Sequence, residues 1–257
     1  MVYQSAHLFL QDDIPSSFFY FVFFATVCSY NFHWWLSTHS ATGSERLQWA
    51  IQNKHLHLIL FIIGSAGAAI FFCMLWQHWL WIGIGGVLTF LYTAPKIPQQ
   101  IFIGLRKIAI GKTIFLALVW MYITTILPFT ISGHHWQAGF TWFACSRFFL
   151  IYAICILFDY RDREDDKADG IRSMITYFEE RGINNLFAGS LILFAISIAM
   201  LYHTWLNIFE IVLLLVPGLI LAMLYNYAKR NFSDYLYYLV LDGLMMLSAV
   251  LMLLLRI

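Results

Sequence analysis

Runs of about twenty mostly apolar residues recur along the whole chain, and none of them alternates apolar with polar positions. That length suits a helix crossing the ~30 Å hydrocarbon core of a bilayer. Inside such a core every backbone N–H and C=O must be satisfied within the protein, which leaves helices or closed barrels. The missing period-two alternation selects helices. Eight runs are read, at about 16–36, 56–76, 78–94, 113–131, 139–158, 184–203, 208–227 and 235–255. The second and third are separated only by a short break at Gln77-His78. Pro128 and Pro217 fall inside runs, where neighbouring helices can satisfy the backbone groups they free. Composition agrees: 61% of the 257 residues are hydrophobic and only 11% are charged, about half the charged share of a soluble domain. The expected fold is an all-α integral membrane bundle, a single transmembrane domain over residues 1–257, with membrane lipid as its solvent.

A net charge of +1 leaves no basic footprint for nucleic acid. The four cysteines, Cys28, Cys73, Cys145 and Cys155, all fall inside apolar runs without CxxC spacing, so they are expected to act as small hydrophobic residues and not as a disulfide framework. Residues 1–13 lack a basic segment and carry Asp12 and Asp13, unlike a cleavable signal. Thirteen of the fifteen Lys and Arg lie in the loops after the first, third, fifth and seventh runs. Basic loops stay cytoplasmic, so those four loops are expected on the cytoplasmic face.

The loop after the fifth run holds eight of the fourteen acidic residues. Its start reads DYRDREDDKADGIRS, residues 159–173. If the fifth helix continues, Asp159, Asp162 and Asp166 stand at i, i+3 and i+7 and share one face. Three carboxylates on one face need a cation, and hard oxygen ligands of this kind suit Mg²⁺ shared with substrate phosphates. The alternative is a solvated charge run in which Arg161, Arg163 and Lys167 pair locally with the acids. A calcium-binding helix–loop–helix is excluded: counted from Asp165, the third position is Lys167 and the twelfth Thr176.

The pattern D-x-x-D-x-x-x-D-x-x-x-G over Asp159, Asp162, Asp166 and Gly170 resembles the second aspartate-rich motif of the UbiA-type intramembrane prenyltransferases. LYTAPKIP (91–98) is similar to that family's tyrosine–proline–lysine segment after its fourth helix and GLRKIAIGKTIFLALVW (104–120) to the amphipathic run leading into the next span, and the likeness runs from about residue 20 onward. The resemblance implies a nine-helix bundle around a central cavity, of which this chain supplies about eight spans. Two aspartate-rich motifs would face each other and hold the diphosphate of a polyprenyl donor through Mg²⁺. An allylic cation would form there and be captured by an electron-rich acceptor. Metal and cations stabilise the charge developing on the leaving group, and apolar walls exclude water. Carried over residue by residue, Asp159, Asp162 and Asp166 are the expected metal ligands, and Asn31, Arg46, Lys96 and Lys107 the expected diphosphate contacts.

The first motif departs from the family. Its counterpart is NFHWWLSTH, residues 31–39, where Asn31 is kept but the three aspartate positions hold Phe32, Trp35 and His39. Arg46 stands where the family usually has an arginine, so the motif is replaced in place. His39 or His33 offers an imidazole, a better ligand for zinc or iron than for magnesium; Phe32, Trp34 and Trp35 also fit as interfacial aromatics. With half the acids gone, Mg²⁺ binding is expected to be weak or dependent on substrate. Ahead of the first run, MVYQSAHLFLQ is too short to span and suits the stub of a further helix. Arg147 and Asp242 lie inside runs, where charges tend to face inward in pairs, and the two can meet. The leading expectation is a prenyl-diphosphate-using transferase with an unknown acceptor. Its rivals are a non-catalytic isoprenoid- or lipid-binding protein on the same scaffold and a small transporter.

Overall fold

The computed structural model describes residues 1–2, 4–5, 14–37, 45–93, 112–168, 174–204 and 206–255, and all regular secondary structure among these is helical. The chain divides into two compact units, one formed by Asp12–Arg106 and the other by Met1–Gln11 with Lys107–Ile257. Six helices are long and apolar enough to cross a membrane: Lys54–Met74, Thr113–Ile131, Ala138–Arg161, Glu180–Tyr202, Ile208–Ala228 and Leu236–Leu255. Two of the eight expected runs fall short of that measure. The first forms a 22-residue helix, but Tyr20, Ser29, Tyr30, Asn31 and His33 lower its hydropathy. The third is described as a 15-residue helix, Trp79–Thr93, that follows a 3₁₀ turn at Trp76–His78, and residues 94–111 lie outside the described residues.

In the first unit, α1 (Ser16–Ser37) is followed by α2 (Glu45–Gln52), α3 (Lys54–Met74) and α4 (Trp79–Thr93). Pro15 opens α1, its carbonyl accepting from the Phe18 N–H at 2.8 Å. α1 and α3 pack antiparallel. Tyr20 and Phe24 stack on Phe71 (5.1 and 5.7 Å), and further along Phe32 stacks on Phe61 (5.2 Å). Gly64 allows the close approach between them: a Cβ there would lie 2.6 Å from the Cys28 backbone nitrogen. The outward face of α3 leaves Ile59, Ile62, Ile63 and Ile70 about half exposed or more, as lipid contact requires.

In the second unit α5 (Lys112–Met121) passes through a π-helical turn, Tyr122–Ile126, into α6 (Leu127–Ile131). Pro128 explains the turn. A proline clashes with the carbonyl four residues earlier, here that of Thr124. The displaced Thr124 carbonyl accepts instead from Ser5 Oγ at 2.8 Å. The amino-terminal stretch, expected as a helix stub, thus has Gln4 and Ser5 fully buried inside this unit. α7 (Ala138–Arg161) is the most buried of the long helices in this unit. It is followed by α8 (Arg163–Ala168), α9 (Met174–Tyr177), α10 (Glu180–Ala199), α11 (Ile208–Ala228), a π-helical turn at Leu236–Leu241 and α12 (Asp242–Leu255). A reciprocal cap starts α11, Asn207 Oδ1 accepting from Glu210 N (2.9 Å) and Glu210 Oε2 from Asn207 N (2.7 Å). The four cysteines are unbridged.

The expected Arg147–Asp242 pair does not form. Arg147 is 1% exposed in α7, donates to Ser248 Oγ at 3.1 Å and lies 5.0 Å from the Phe143 ring. Ser248 in turn bonds Gln4, so a neutral hydroxyl and an amide occupy the position where an acid was expected.

Candidate functional site

The acidic sequence begins in the last turn of α7, and the chain stops being helical within it. Arg161 ends the helix; Asp162 follows with φ −84° and ψ 2°, and the separate helix α8 starts at Arg163. The condition for one continuous face carrying Asp159, Asp162 and Asp166, an unbroken helix through all three, is not met at Asp162. Carboxylates stacked along a single helix face repel, and the break at Asp162 instead sets that carboxylate against a neighbouring cation.

Asp159 is only 7% exposed. A buried carboxylate needs a partner, and Thr113 Oγ1 of α5 donates to its Oδ2. Asp162 is held by Arg161, with Nε donating to Oδ1 at 2.7 Å and Nη2 to Oδ2 at 3.4 Å. The guanidinium is itself gripped from the far side. Nη2 donates to Tyr238 Oη at 2.7 Å, Nη1 lies 3.6 Å from Asp234 Oδ1, and the rings of Phe158, Tyr237 and Tyr238 stand 5.4, 4.8 and 4.9 Å away. Beyond the break, Lys167 donates to Glu164 at 2.8 Å and holds that carboxyl below its ordinary range. Of the local pairs foreseen as an alternative, Arg161 and Lys167 each meet an acid, whereas Arg163 donates to the Phe178 carbonyl.

A second polar cluster joins the ends of α7, α10 and α11. Lys229 bonds Glu180 and, at 2.9 Å, Asn184, while its ammonium lies 5.0 and 4.9 Å from the rings of Tyr160 and Tyr225. Sequence spacing pointed to none of Thr113, Asp234, Tyr238 or this cluster. The partners sit 46, 77 and 49 positions apart, and no local pattern encodes such distances.

The remaining expected residues are distributed as follows. Asn31, in α1, donates to the Val27 carbonyl at 2.7 Å, and its Oδ1 lies 2.8 Å from His57 Nδ1 of α3. Phe32 stacks on Phe61 and lies 6.3 Å from Trp35, whose ring faces the Lys54 ammonium at 5.4 Å. His33 stacks on Tyr92 at 5.8 Å. The backbones of Arg46 and Asp166 are helical, in α2 and α8, but their side chains lie outside the described residues, as do His39, Lys96 and Lys107 altogether.

Among the described residues no group of three or more His, Cys, Asp or Glu is placed to share a metal ion. The donor chemistry nonetheless fits Mg²⁺: Asp159 and Asp162 offer hard carboxylate oxygens one helical turn apart. One of the two, Asp162, is engaged by a guanidinium.

A family model described as the UbiA prenyltransferase family matches residues 47–250. The matched stretch contains Asp159, Asp162, Asp166, Lys96 and Lys107. It begins after Asn31, Arg46 and the replaced first motif. No curated protein and no solved structure matches the chain.

Proposed function

Because the chain belongs to the UbiA prenyltransferase family, we propose that it binds a polyprenyl diphosphate with Mg²⁺ and transfers the prenyl group to an electron-rich acceptor within the membrane. The supporting observation is that the matched residues include the end of α7, where Asp159 is 7% exposed and fixed by Thr113. In this reading Asp159, Asp162 and Asp166 hold the metal, which when bound offsets the charge growing on the leaving diphosphate. Arg46, Lys96 and Lys107 pair with phosphate oxygens, and Asn31 adds a neutral contact. The bond between the allylic carbon and diphosphate oxygen breaks with its electron pair going to the diphosphate. The acceptor supplies the new pair to that carbon and then loses a proton. The acidic end of α7 and the basic loops lie on the cytoplasmic side, an orientation resting on the distribution of Lys and Arg. His134→Cys should then be labelled by an impermeant thiol reagent from the outer face and Lys107→Cys only from the cytoplasm; the reverse pattern would invert the orientation.

A second reading is a non-catalytic isoprenoid-binding protein. It is favoured by the aromatic packing of Phe32 and Trp35 at positions where the resemblance calls for aspartates. Calorimetry with prenyl diphosphates, with and without Mg²⁺, separates the two. The transferase reading expects Mg²⁺-dependent binding that Asp162→Asn weakens. A wild-type protein that binds no prenyl diphosphate would leave the second reading standing.

A further inference from the structure

We propose that Arg161 is a positioning residue that occupies the Asp162 carboxylate, so that a divalent cation gains Asp162 only by displacing the guanidinium. The inference rests on Asp162 being a metal ligand, as in the function proposed above. Its geometry is a two-pronged pairing: Nε and Nη2 of Arg161 each donate to a different oxygen of Asp162. A planar fork of this kind binds a carboxylate more strongly than a single contact.

The two partners are unequally held. Arg161 has a side chain only 13% exposed, bonded to Tyr238, enclosed by three aromatic rings and close to Asp234. Asp162 is 42% exposed and sits at the break between α7 and α8. When the pair opens, the carboxylate is therefore the member that moves. Arg161 then keeps Tyr238, the rings and Asp234, so release does not strand an unpaired buried cation, which would be costly. Tyr237 and Tyr238 both belong to the π-helical turn at Leu236–Leu241, and such turns recur at functional sites. Arg163 is an internal contrast. It lies next to Asp162 in sequence, but its Nη2 donates to the Phe178 carbonyl at 3.0 Å.

Mn²⁺ titration followed by electron paramagnetic resonance tests this on the purified full chain in detergent, with no prenyl diphosphate present. Arg161→Gln should bind Mn²⁺ about fivefold more tightly than wild type, the scale of one partly exposed ion pair. Arg161→Lys, which keeps the charge but loses the fork, should gain part of that. Arg163→Gln should gain nothing, and Arg161→Gln combined with Asp162→Asn should lose the gain. Thermal unfolding of each variant checks that it is folded. Should Arg161→Gln fail to fold, Tyr238→Phe, which removes one restraint on the guanidinium, should still shift Mn²⁺ affinity in the same direction. Equal affinity in Arg161→Gln and wild type overturns the proposal. So does an equal gain in Arg163→Gln, which would reveal only a diffuse charge effect, or the absence of Mn²⁺ binding in every variant. If the shift is seen but no prenyl diphosphate binds, the transferase reading fails and the role of Arg161 stands.

Discussion

At the end of α7 each described charge meets a polar or charged partner: Thr113 donates to Asp159, Arg161 grips Asp162, and Lys229 bonds Glu180. At the end of α1 the packing is made of rings. Phe32 lies between Phe61 and Trp35, His33 stacks on Tyr92, and Asn31 has a neutral partner in His57. The resemblance makes these two stretches counterparts, yet one carries carboxylates and the other makes aromatic contacts. A carboxylate in an apolar site is tolerated only with donors around it. Those donors surround α7, a far more buried helix than α3, on which α1 packs. The end of α1 has stacking surfaces in their place. The contrast teaches that a helix end without carboxylates can still be packed, here by aromatic rings. The α1 end is packed, and what it lacks beside the α7 end is anionic charge.

The sharpest way to break the contrast is to remove one side chain from each end and compare prenyl-diphosphate binding in Mg²⁺. Asp159→Asn should weaken it by on the order of 100-fold, since removing even the outer supports of metal ligands costs 10- to 100-fold. Asn31→Ala removes a neutral contact of roughly 1 kcal/mol and should cost about fivefold. Calorimetry on both variants reads the difference. Losses of equal size would show that α1 still carries half of the site, and the contrast would be wrong.

Much of the fold was legible because apolar run length is a local property: the six membrane-length helices all fall on expected runs. The first run is an exception because run length ignores the polar residues inside α1. The acidic end of α7 was legible as a motif, but its geometry was not. Spacing i, i+3, i+7 presumes an unbroken helix, and the helix ends at Arg161, whose guanidinium is held by Tyr238 and Asp234, far along the chain. Arg147 was recognisable as an inward-facing charge from its place in an apolar run. Its partner was not, because Ser248 and Gln4 carry no charge to betray the pairing.

The smallest expected effects lie one layer out, in the groups that hold Asp159 and Asn31, and they concern stability. Thr113→Val keeps the side-chain shape but removes the hydroxyl that donates to a buried carboxylate. Hydrogen bonds to charged groups are worth about 1.5–3 kcal/mol. Asp159 keeps other interactions, so a loss near 1.5 kcal/mol is expected. His57→Leu is the matching change at α1. It deletes the contact between Nδ1 and Asn31, worth about 1 kcal/mol. It also deletes Nε2, which is buried without a hydrogen-bond partner in a side chain 6% exposed. An unsatisfied buried polar atom costs about as much as that bond returns, so the two changes should nearly cancel, within roughly 0.5 kcal/mol. Thermal unfolding in detergent compares the pair. A destabilisation by His57→Leu as large as that by Thr113→Val would mean that the Asn31–His57 contact is as exacting as the one that holds Asp159, and that the α1 end depends on a polar pair after all.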